Sequence, residues 1–214
     1  MMRHALVFGG LSSCGYRITE TLLNRGTTVY TLSSALTAAE RELEEERSLF
    51  FGRNALFHRA EKATTIPRAE IVYLLDMLRA DPKAQLQLEA RMAAVFEQAD
   101  RLATRFFFYL SSTAIYGGRT PDLRQQVLPE TPEGFMTNQM ELFFIEHVKN
   151  VRPEKAIIFR TDQATEKSDD QVCRFAAQLP DASFSGIEVV HFFTNQPKAS
   201  AMNQKIVQLI GEHA

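Results

Sequence analysis

Two segments of this 214-residue sequence carry residues that could do chemistry, and the first is a glycine-rich turn near the N-terminus. The apolar run 5–8 is typical of a buried strand, and glycines follow it where the chain must turn sharply into a helix. Glycine lets a backbone approach a phosphate closely, and the free N–H groups of a helix start carry partial positive charge. The turn therefore predicts a pyrophosphate site, which we assign to Gly9, Gly10, Ser12, Ser13, Cys14 and Gly15.

The second segment is an apolar strand that ends in hydroxyl residues. The run 106–110 is continuous and apolar, and Ser111, Ser112 and Thr113 follow it directly. A buried parallel strand of this kind delivers its last side chains to the carboxyl edge of a sheet, where ligands bind. The segment therefore predicts a second part of the same site, although a merely capped strand end would show the same pattern.

Both segments resemble motifs of one family. Gly9-x-x-Ser12-x-x-Gly15 resembles the GxxGxxG turn of extended and atypical short-chain dehydrogenases/reductases, which include nucleotide-sugar epimerases and dehydratases, with serine in the middle place. Residues 111–117 resemble the family's SSxxVYG segment. The resemblance covers roughly residues 3–160. It implies that Ser112 is the catalytic serine, whose hydroxyl binds a substrate carbonyl or carbinol.

The family's third motif, Tyr-x-x-x-Lys on the next helix, is replaced in this chain. Aligned on the preceding proline-bearing loop, Phe135 falls at the tyrosine position and Gln139 at the lysine position. Phenylalanine has no exchangeable proton and glutamine is neutral, so this pair cannot transfer a proton. Tyr116 is the remaining candidate donor because no tyrosine follows it. The alternative is that Tyr116 is a packed aromatic residue with a satisfied hydroxyl.

The end of the second predicted strand bears on which dinucleotide would bind. An acidic residue there binds the ribose 2′-hydroxyl of NAD, whereas arginine accommodates the 2′-phosphate of NADP. This chain has Ser33 and Ser34, whose hydroxyls can donate to a phosphate, so NADP is favoured over NAD. Arg17 either supplies a positive charge or is a solvated helix residue. A bulky Leu75 or Met77 would narrow the cleft, which leaves open that no cofactor binds.

Strands and helices are predicted to alternate along the chain, which favours an α/β fold with a doubly wound, Rossmann-like parallel sheet. We expect a single domain over 1–214, in which 160–214 is a reduced C-terminal substrate region and 118–132 a loop over the site. The predicted strands are 5–8, 27–32, 55–57, 71–75, 106–110, 155–159 and 187–193. Three of the predicted helices span about 81–103, 137–150 and 199–212. The other three begin near 15, 37 and 169.

Composition narrows the partners to small molecules. The net charge of −2 predicts no nucleic-acid binding, and no run approaches the roughly 18 to 20 apolar residues of a membrane span. The N-terminus lacks a signal-peptide core, so a cytoplasmic location is expected. Cys14 and Cys173 show no metal or disulfide spacing, and we predict no metal site. The amphipathic helix 199–212 packs on its own sheet or on a partner, which leaves a homo-oligomer open.

Three functions stay open from the sequence. The first is an NAD(P)-binding protein that lacks the usual proton-transfer pair and acts as a sensor, a regulator or a divergent family member. The second is an active NAD(P)-dependent oxidoreductase or epimerase-like enzyme whose non-standard proton donor is Tyr116 or a water held near Ser112. The third is an interaction scaffold that has lost its ligand.

Overall fold

Seven parallel strands form one sheet in the computed structural model, which describes residues 3–13, 15–117, 129–162, 170–193 and 208–209. Their order across the sheet is β3-β2-β1-β4-β5-β6-β7, and every neighbouring pair is parallel. This confirms the predicted Rossmann-like α/β fold. The strands are β1 (His4–Phe8), β2 (Thr28–Leu32), β3 (Phe57–Ala60), β4 (Ile71–Leu74), β5 (Phe106–Ser112), β6 (Lys155–Thr161) and β7 (Gly186–Phe192).

Helices cover both faces of the sheet, as a parallel sheet requires. On one face, alternate residues of β1 such as Val7 pack in a core with Ile18 and Cys173. On the other face, Phe8 shares a core with Met92 and Phe144. The helices are α1 (Gly15–Asn24), α2 (Ala38–Phe51), α3 (Pro82–Phe96), α4 (Ala99–Leu102), α5 (Pro132–Val151) and α6 (Asp170–Gln178).

Two helix starts follow local capping signals. Thr37 caps α2, and Glu40 completes a capping box with it, while Asp81 caps α3 ahead of a proline. The single helix predicted from 81 to about 103 is wrong, because α3 ends at Phe96 and the separate helix α4 follows. After this break, Arg101 of α4 donates to the carbonyl oxygens of Ala63 and Ile66, at 2.6 and 2.7 Å.

The strand predicted at 55–57 lies later, at Phe57–Ala60, and the helix predicted from 137 begins earlier, at Pro132. Thr131 caps that helix by accepting from the Gly134 N–H, so Pro132, predicted as the last residue of the loop 118–132, is the first residue of α5. The strand predicted at 187–193 is confirmed as β7 on the sheet edge. Of the predicted helix 199–212, the described residues 208–209 are helical, and Leu209 packs against the core that holds Ile18.

No helix in the described part of the chain is long and apolar enough to cross a membrane.

Candidate functional site

The sheet order places the predicted site residues along one edge. The chain runs from β1 through β2 to β3 on one side and then returns to β4 on the other, so the direction of winding reverses between β1 and β4. Ligands of doubly wound sheets bind at such a reversal, outside the carboxyl ends of the strands. The glycine turn follows β1, Ser33 and Ser34 follow β2, and Ser112 ends β5.

The glycines of the turn are required by the packing of the protein on itself. Gly9 has φ 71°, and an added Cβ would lie 2.6 Å from the Leu75 carbonyl oxygen. A Cβ at Gly15 would lie 1.9 Å from the Gly9 carbonyl oxygen, and one at Gly10 would lie 2.8 Å from a methyl of Thr31. Each separation is shorter than a carbon atom tolerates, so these positions need glycine whether or not a ligand binds.

Ser12, at the place of the family's middle glycine, caps the start of α1. Its hydroxyl donates to the Gly9 carbonyl at 2.7 Å and accepts from the Gly15 N–H at 3.1 Å. One N–H group at the start of α1 therefore already has an acceptor within the protein. Ser13 is half-buried in the same turn, whereas Cys14 lies outside the described residues.

The serines after β2 both bind within the protein. Ser33 Oγ accepts from the Ala35 N–H at 3.1 Å, and Ser34 Oγ donates to Asp76 at 2.7 Å. Arg17, the other predicted charge, is paired with Glu20 on its own helix at 2.8 Å. The structure therefore brings Ser33 and Ser34 to the crevice and gives Arg17 an intrahelical partner.

A cavity of about 520 Å³ lies beside Ser33. Its apolar walls include Phe8 at the end of β1, Leu32 at the end of β2, and Val95 on α3. Its charged lining residues are Arg41, Lys62 and Arg91, with Glu61 and Glu97. The two arginines hold the loop that follows Ser34, because Arg41 donates to the Leu36 carbonyl at 3.0 Å and Arg91 to the Ala35 carbonyl at 3.2 Å.

The end of β4 differs from the sequence expectation. The side chains of Leu75 and Met77 are buried in opposite cores, so they do not narrow the crevice. Asp76, between them, has φ 57° and binds Ser34. Arg79 Nη2 donates to Asp76 Oδ2 at 2.8 Å, and Nη1 contacts Oδ1 at 3.1 Å. A charged pair thus lies where bulky apolar side chains were expected.

At the end of β5, Ser112 is half-buried and its Oγ accepts from the Ala114 N–H at 3.1 Å. This bond caps the short 3₁₀ turn Thr113–Tyr116. The preceding Ser111 donates to Glu141 of α5 at 2.6 Å. The predicted catalytic serine therefore lies at the carboxyl edge, with its hydroxyl hydrogen available for donation to a ligand.

Helix α5 turns a different face to β5 than the motif alignment implies. Phe135 is 54% exposed and Gln139 is also exposed, so neither packs on the sheet. Thr137 and Glu141, spaced by the same four residues, are buried on the inner face. The structure therefore does not bring Phe135 and Gln139 to Ser112, and the inner positions hold a hydroxyl and a carboxylate.

Tyr116 belongs to a hydrogen-bonded chain that joins α5, β6 and β7. Arg160 binds both oxygens of Glu141, at 2.6 and 2.9 Å, and donates to the Tyr116 hydroxyl at 2.6 Å. That hydroxyl is also bonded to His191 Nε2. Burial raises the pKa of Tyr116, and the Arg160 guanidinium opposes this rise. Tyr116 thus has basic neighbours, which the local sequence around it did not show.

Sequence reasoning missed the residues that complete both clusters. Asp76 and Arg79 follow β4, whereas Arg160 and His191 lie at the ends of β6 and β7. Arg160 interrupts an apolar strand at its carboxyl end, and this was the one local signal. Among the described residues, no group of three or more histidines, cysteines or carboxylates is placed to hold a metal ion.

Comparison with known proteins identifies the fold. No protein-family model matches the chain, and no curated protein matches it either. Among solved structures, the UDP-glucuronic acid 4-epimerase of Bacillus cereus in complex with NAD is 14% identical with a TM-score of 0.69, over 88% of this chain and 78% of the epimerase. The fold is that of the nucleotide-sugar epimerases.

Two further structures support the same conclusion. An epimerase from Methanothermobacter thermautotrophicus is 14% identical, with a TM-score of 0.69 over 100% of this chain and 78% of that protein. The Bordetella bronchiseptica enzyme WbmH in complex with NAD⁺ is 14% identical, with a TM-score of 0.64 over 89% and 75%. The resemblance to extended short-chain dehydrogenases/reductases is thus confirmed at the level of the fold.

Proposed function

We propose that this chain binds a nicotinamide dinucleotide, NADP in preference to NAD, and does so without the tyrosine–lysine chemistry of the family. The observation that carries the proposal is the cavity beside Ser33, whose rim bears Arg41, Lys62 and Arg91. Guanidinium groups bind phosphate through paired, charge-assisted hydrogen bonds, and an arginine near the end of β2 suits a 2′-phosphate. The epimerase and WbmH structures in complex with NAD add support through their shared fold.

The apolar walls of the cavity would hold the adenine, and Ser33 with Arg41, Lys62 and Arg91 would hold the 2′-phosphate. The turn at the start of α1 would hold the pyrophosphate, because helix N–H groups favour negative charge. When bound, the nicotinamide can exchange a hydride. Phe135 and Gln139 are exposed on α5 and bring no proton donor to the site, so the role we propose for the protein is that of a sensor, a regulator or a divergent family member.

Three further expectations belong to this proposal. The chain 1–214 acts as one dinucleotide-binding domain, to which 160–214 contributes β7 and α6 instead of a large substrate region. The protein works in the cytoplasm on small molecules, without nucleic acid. A homo-oligomer stays a prediction, because most of the helix 199–212 on which it depends lies outside the described residues.

We expect Arg91→Gln to weaken NADP binding about tenfold and to leave NAD binding nearly unchanged. The variant removes one charged contact to the 2′-phosphate, and a tenfold loss corresponds to about 1.4 kcal/mol. Isothermal titration at fixed ionic strength measures both constants. Arg105→Gln is the matched control, since Arg105 pairs with Glu154 at the opposite edge of the sheet.

Equal loss of NAD and NADP affinity in Arg91→Gln would show that Arg91 supports the loop after β2 and does not recognise the phosphate. If none of the four nicotinamide dinucleotides stabilises the wild-type protein at millimolar concentration, and no substitution in the crevice restores binding, the interaction scaffold is the remaining function.

The cluster around Tyr116 favours a second candidate function, an NADP-dependent oxidoreductase or epimerase-like enzyme. The Arg160 guanidinium can stabilise the deprotonated form of Tyr116, and His191 can return a proton to the Tyr116 oxygen. In a carbonyl reduction, the Tyr116 hydroxyl would supply the proton for the carbonyl oxygen, and a bound reduced nicotinamide would supply the hydride for the carbonyl carbon. Ser112, at the same edge, binds that oxygen.

We expect Tyr116→Phe to abolish NADPH-dependent reduction of quinones and aldehydes while NADP still binds. The ring stays in place, so only the exchangeable proton is lost. Absorbance at the reduced-nicotinamide band follows the reaction, and Tyr30→Phe, on a strand remote from the Tyr116 cluster, is the control. Reduction that persists in Tyr116→Phe, or that is absent from the wild-type protein, contradicts this second function.

A further inference from the structure

A carboxylate of the protein lies across the crevice in which we propose that the dinucleotide binds. Strands β2 and β4 flank β1 on its two sides. Ser34 follows β2 and Asp76 follows β4, so the 2.7 Å bond between them crosses the end of β1, above the glycine turn. The contact is close, because Asp76 Cβ lies 3.2 Å from where a Cβ on Gly9 would be.

The backbone of Asp76 shows that this placement is specific. Among the described residues, three non-glycine residues have positive φ, and the other two, Ala103 and Arg152, end helices α4 and α5. Asp76 caps no helix and adopts φ 57° at the end of a central strand. Left-handed backbone is uncommon outside glycine but is adopted more often by aspartate and asparagine than by most residues, and here contacts of the side chain hold it.

Arg79 supplies those contacts and neutralises the carboxylate. It binds both oxygens of Asp76 and also reaches the Ser34 carbonyl at 3.3 Å and the Glu40 carboxylate at 3.6 Å. The side chains of Arg79 and Asp76 are 15% and 28% exposed. The ion pair therefore lies beside Ser34, between the glycine turn after β1 and the loop after β2.

We propose that Asp76 is a built-in antagonist of dinucleotide binding, which Arg79 holds in place, and that the site opens when Arg79 exchanges the Asp76 carboxylate for a phosphate of the ligand. This inference rests on the proposed function. The exchange conserves charge pairing, since one anion replaces another on the same guanidinium. Once Arg79 binds a phosphate instead, the Asp76 carboxylate loses its counter-charge and opposes the dinucleotide phosphates through like-charge repulsion, which is stronger in a partly buried site than in water.

The test is isothermal titration of NADP into wild-type protein and Asp76→Asn. Asparagine keeps the size of the side chain, accepts from the Ser34 hydroxyl and tolerates left-handed backbone, so the substitution removes the negative charge and one acceptor for Arg79. We expect Asp76→Asn to bind NADP at least tenfold more tightly. Asp76→Gly, which permits positive φ and removes the side chain, gains at least as much. Asp100→Asn, on an exposed surface of α4, leaves the affinity unchanged.

Unchanged NADP affinity in both Asp76 variants would show that the contacts of Asp76 with Ser34 and Arg79 are purely structural. Weaker NADP binding would show that Asp76 accepts hydrogen bonds from the ligand. Either result overturns the inference. The proposed function fails separately, when wild-type protein and both Asp76 variants bind no dinucleotide at millimolar concentration. Binding by Asp76→Asn alone supports both. Adenosine 2′,5′-bisphosphate, which lacks the pyrophosphate, serves as a second probe and should gain less than NADP from the substitution.

Discussion

We expect Gly15→Ala to lower the free energy of unfolding by about 3 kcal/mol or more, a large part of the 5 to 15 kcal/mol typical of a domain. The added methyl would lie 1.9 Å from the Gly9 carbonyl oxygen and 2.9 Å from its carbonyl carbon. Both are backbone atoms, so no side-chain rotation relieves the clash, and α1 must move away from the turn. Urea denaturation followed by far-ultraviolet circular dichroism measures the loss.

Two other glycines separate the contact from backbone effects. Gly26 has φ 76° with open space around it, so Gly26→Ala reports the cost of left-handed backbone alone, about 1 to 2 kcal/mol. Gly52 has ordinary helical φ and a nearest contact of 3.4 Å, so Gly52→Ala is neutral or slightly stabilising. If Gly15→Ala lowers the free energy of unfolding by no more than Gly26→Ala does, α1 can shift away from the turn at little cost.

This result bears on how glycine motifs are interpreted. The sequence predicted a pyrophosphate turn from three glycines, because only glycine allows a ligand to approach the backbone closely. In the structure, the same glycines are needed for β1, α1 and the end of β4 to pack together. The motif therefore predicts the strand–turn–helix geometry, and the proposal of a ligand rests instead on the cavity beside Ser33.

The central strands were predictable because each is a buried, largely apolar run. The edge-side strand β3, Phe57–Ala60, is neither, and the prediction placed it too early, at 55–57. Helix α5 shows where such patterns fall short. Its inner face combines apolar side chains such as Phe144 with the polar residues Thr137 and Glu141, while Phe135 is exposed. Hydrophobicity alone would not place a carboxylate on this face. The contacts of Glu141 with Ser111 and Arg160 explain the burial.

The two charged clusters could not have been predicted, because each joins residues distant in sequence. Ser34 and Asp76 meet because β1 lies between the strands that they follow, and strand order is a property of the whole sheet. Tyr116 and His191 meet across β5, β6 and β7 in the same way. Local sequence shows the residue types at strand ends but not which of them become neighbours.

The second large effect is expected from Glu141→Gln, which should lower the free energy of unfolding by about 3 to 5 kcal/mol. The side chains of Glu141 and Arg160 are 4% and 14% exposed, so the substitution leaves a buried guanidinium without its counter-charge. Arginine cannot escape this by losing its proton, because its pKa is too high. Chemical denaturation with the slope held common to both proteins measures the difference.

A surface pair and a double variant test the cause. Arg105 and Glu154 are 66% and 55% exposed, so Glu154→Gln should cost less than about 1 kcal/mol. Replacing the buried pair together, by Glu141→Leu with Arg160→Met, should recover most of the loss, because apolar residues of similar volume often replace buried ion pairs without penalty. If Glu141→Gln costs no more than Glu154→Gln, water reaches the pair.

Recovery of stability in the double variant also isolates the functional part of the cluster. Without Arg160, the Tyr116 hydroxyl loses the cation that opposes the burial-driven rise of its pKa, while His191 remains as its hydrogen-bond partner. The double variant should therefore fold, bind NADP and reduce no carbonyl. A double variant that keeps full reductase activity would show that Arg160 holds the structure together and takes no part in proton transfer at Tyr116.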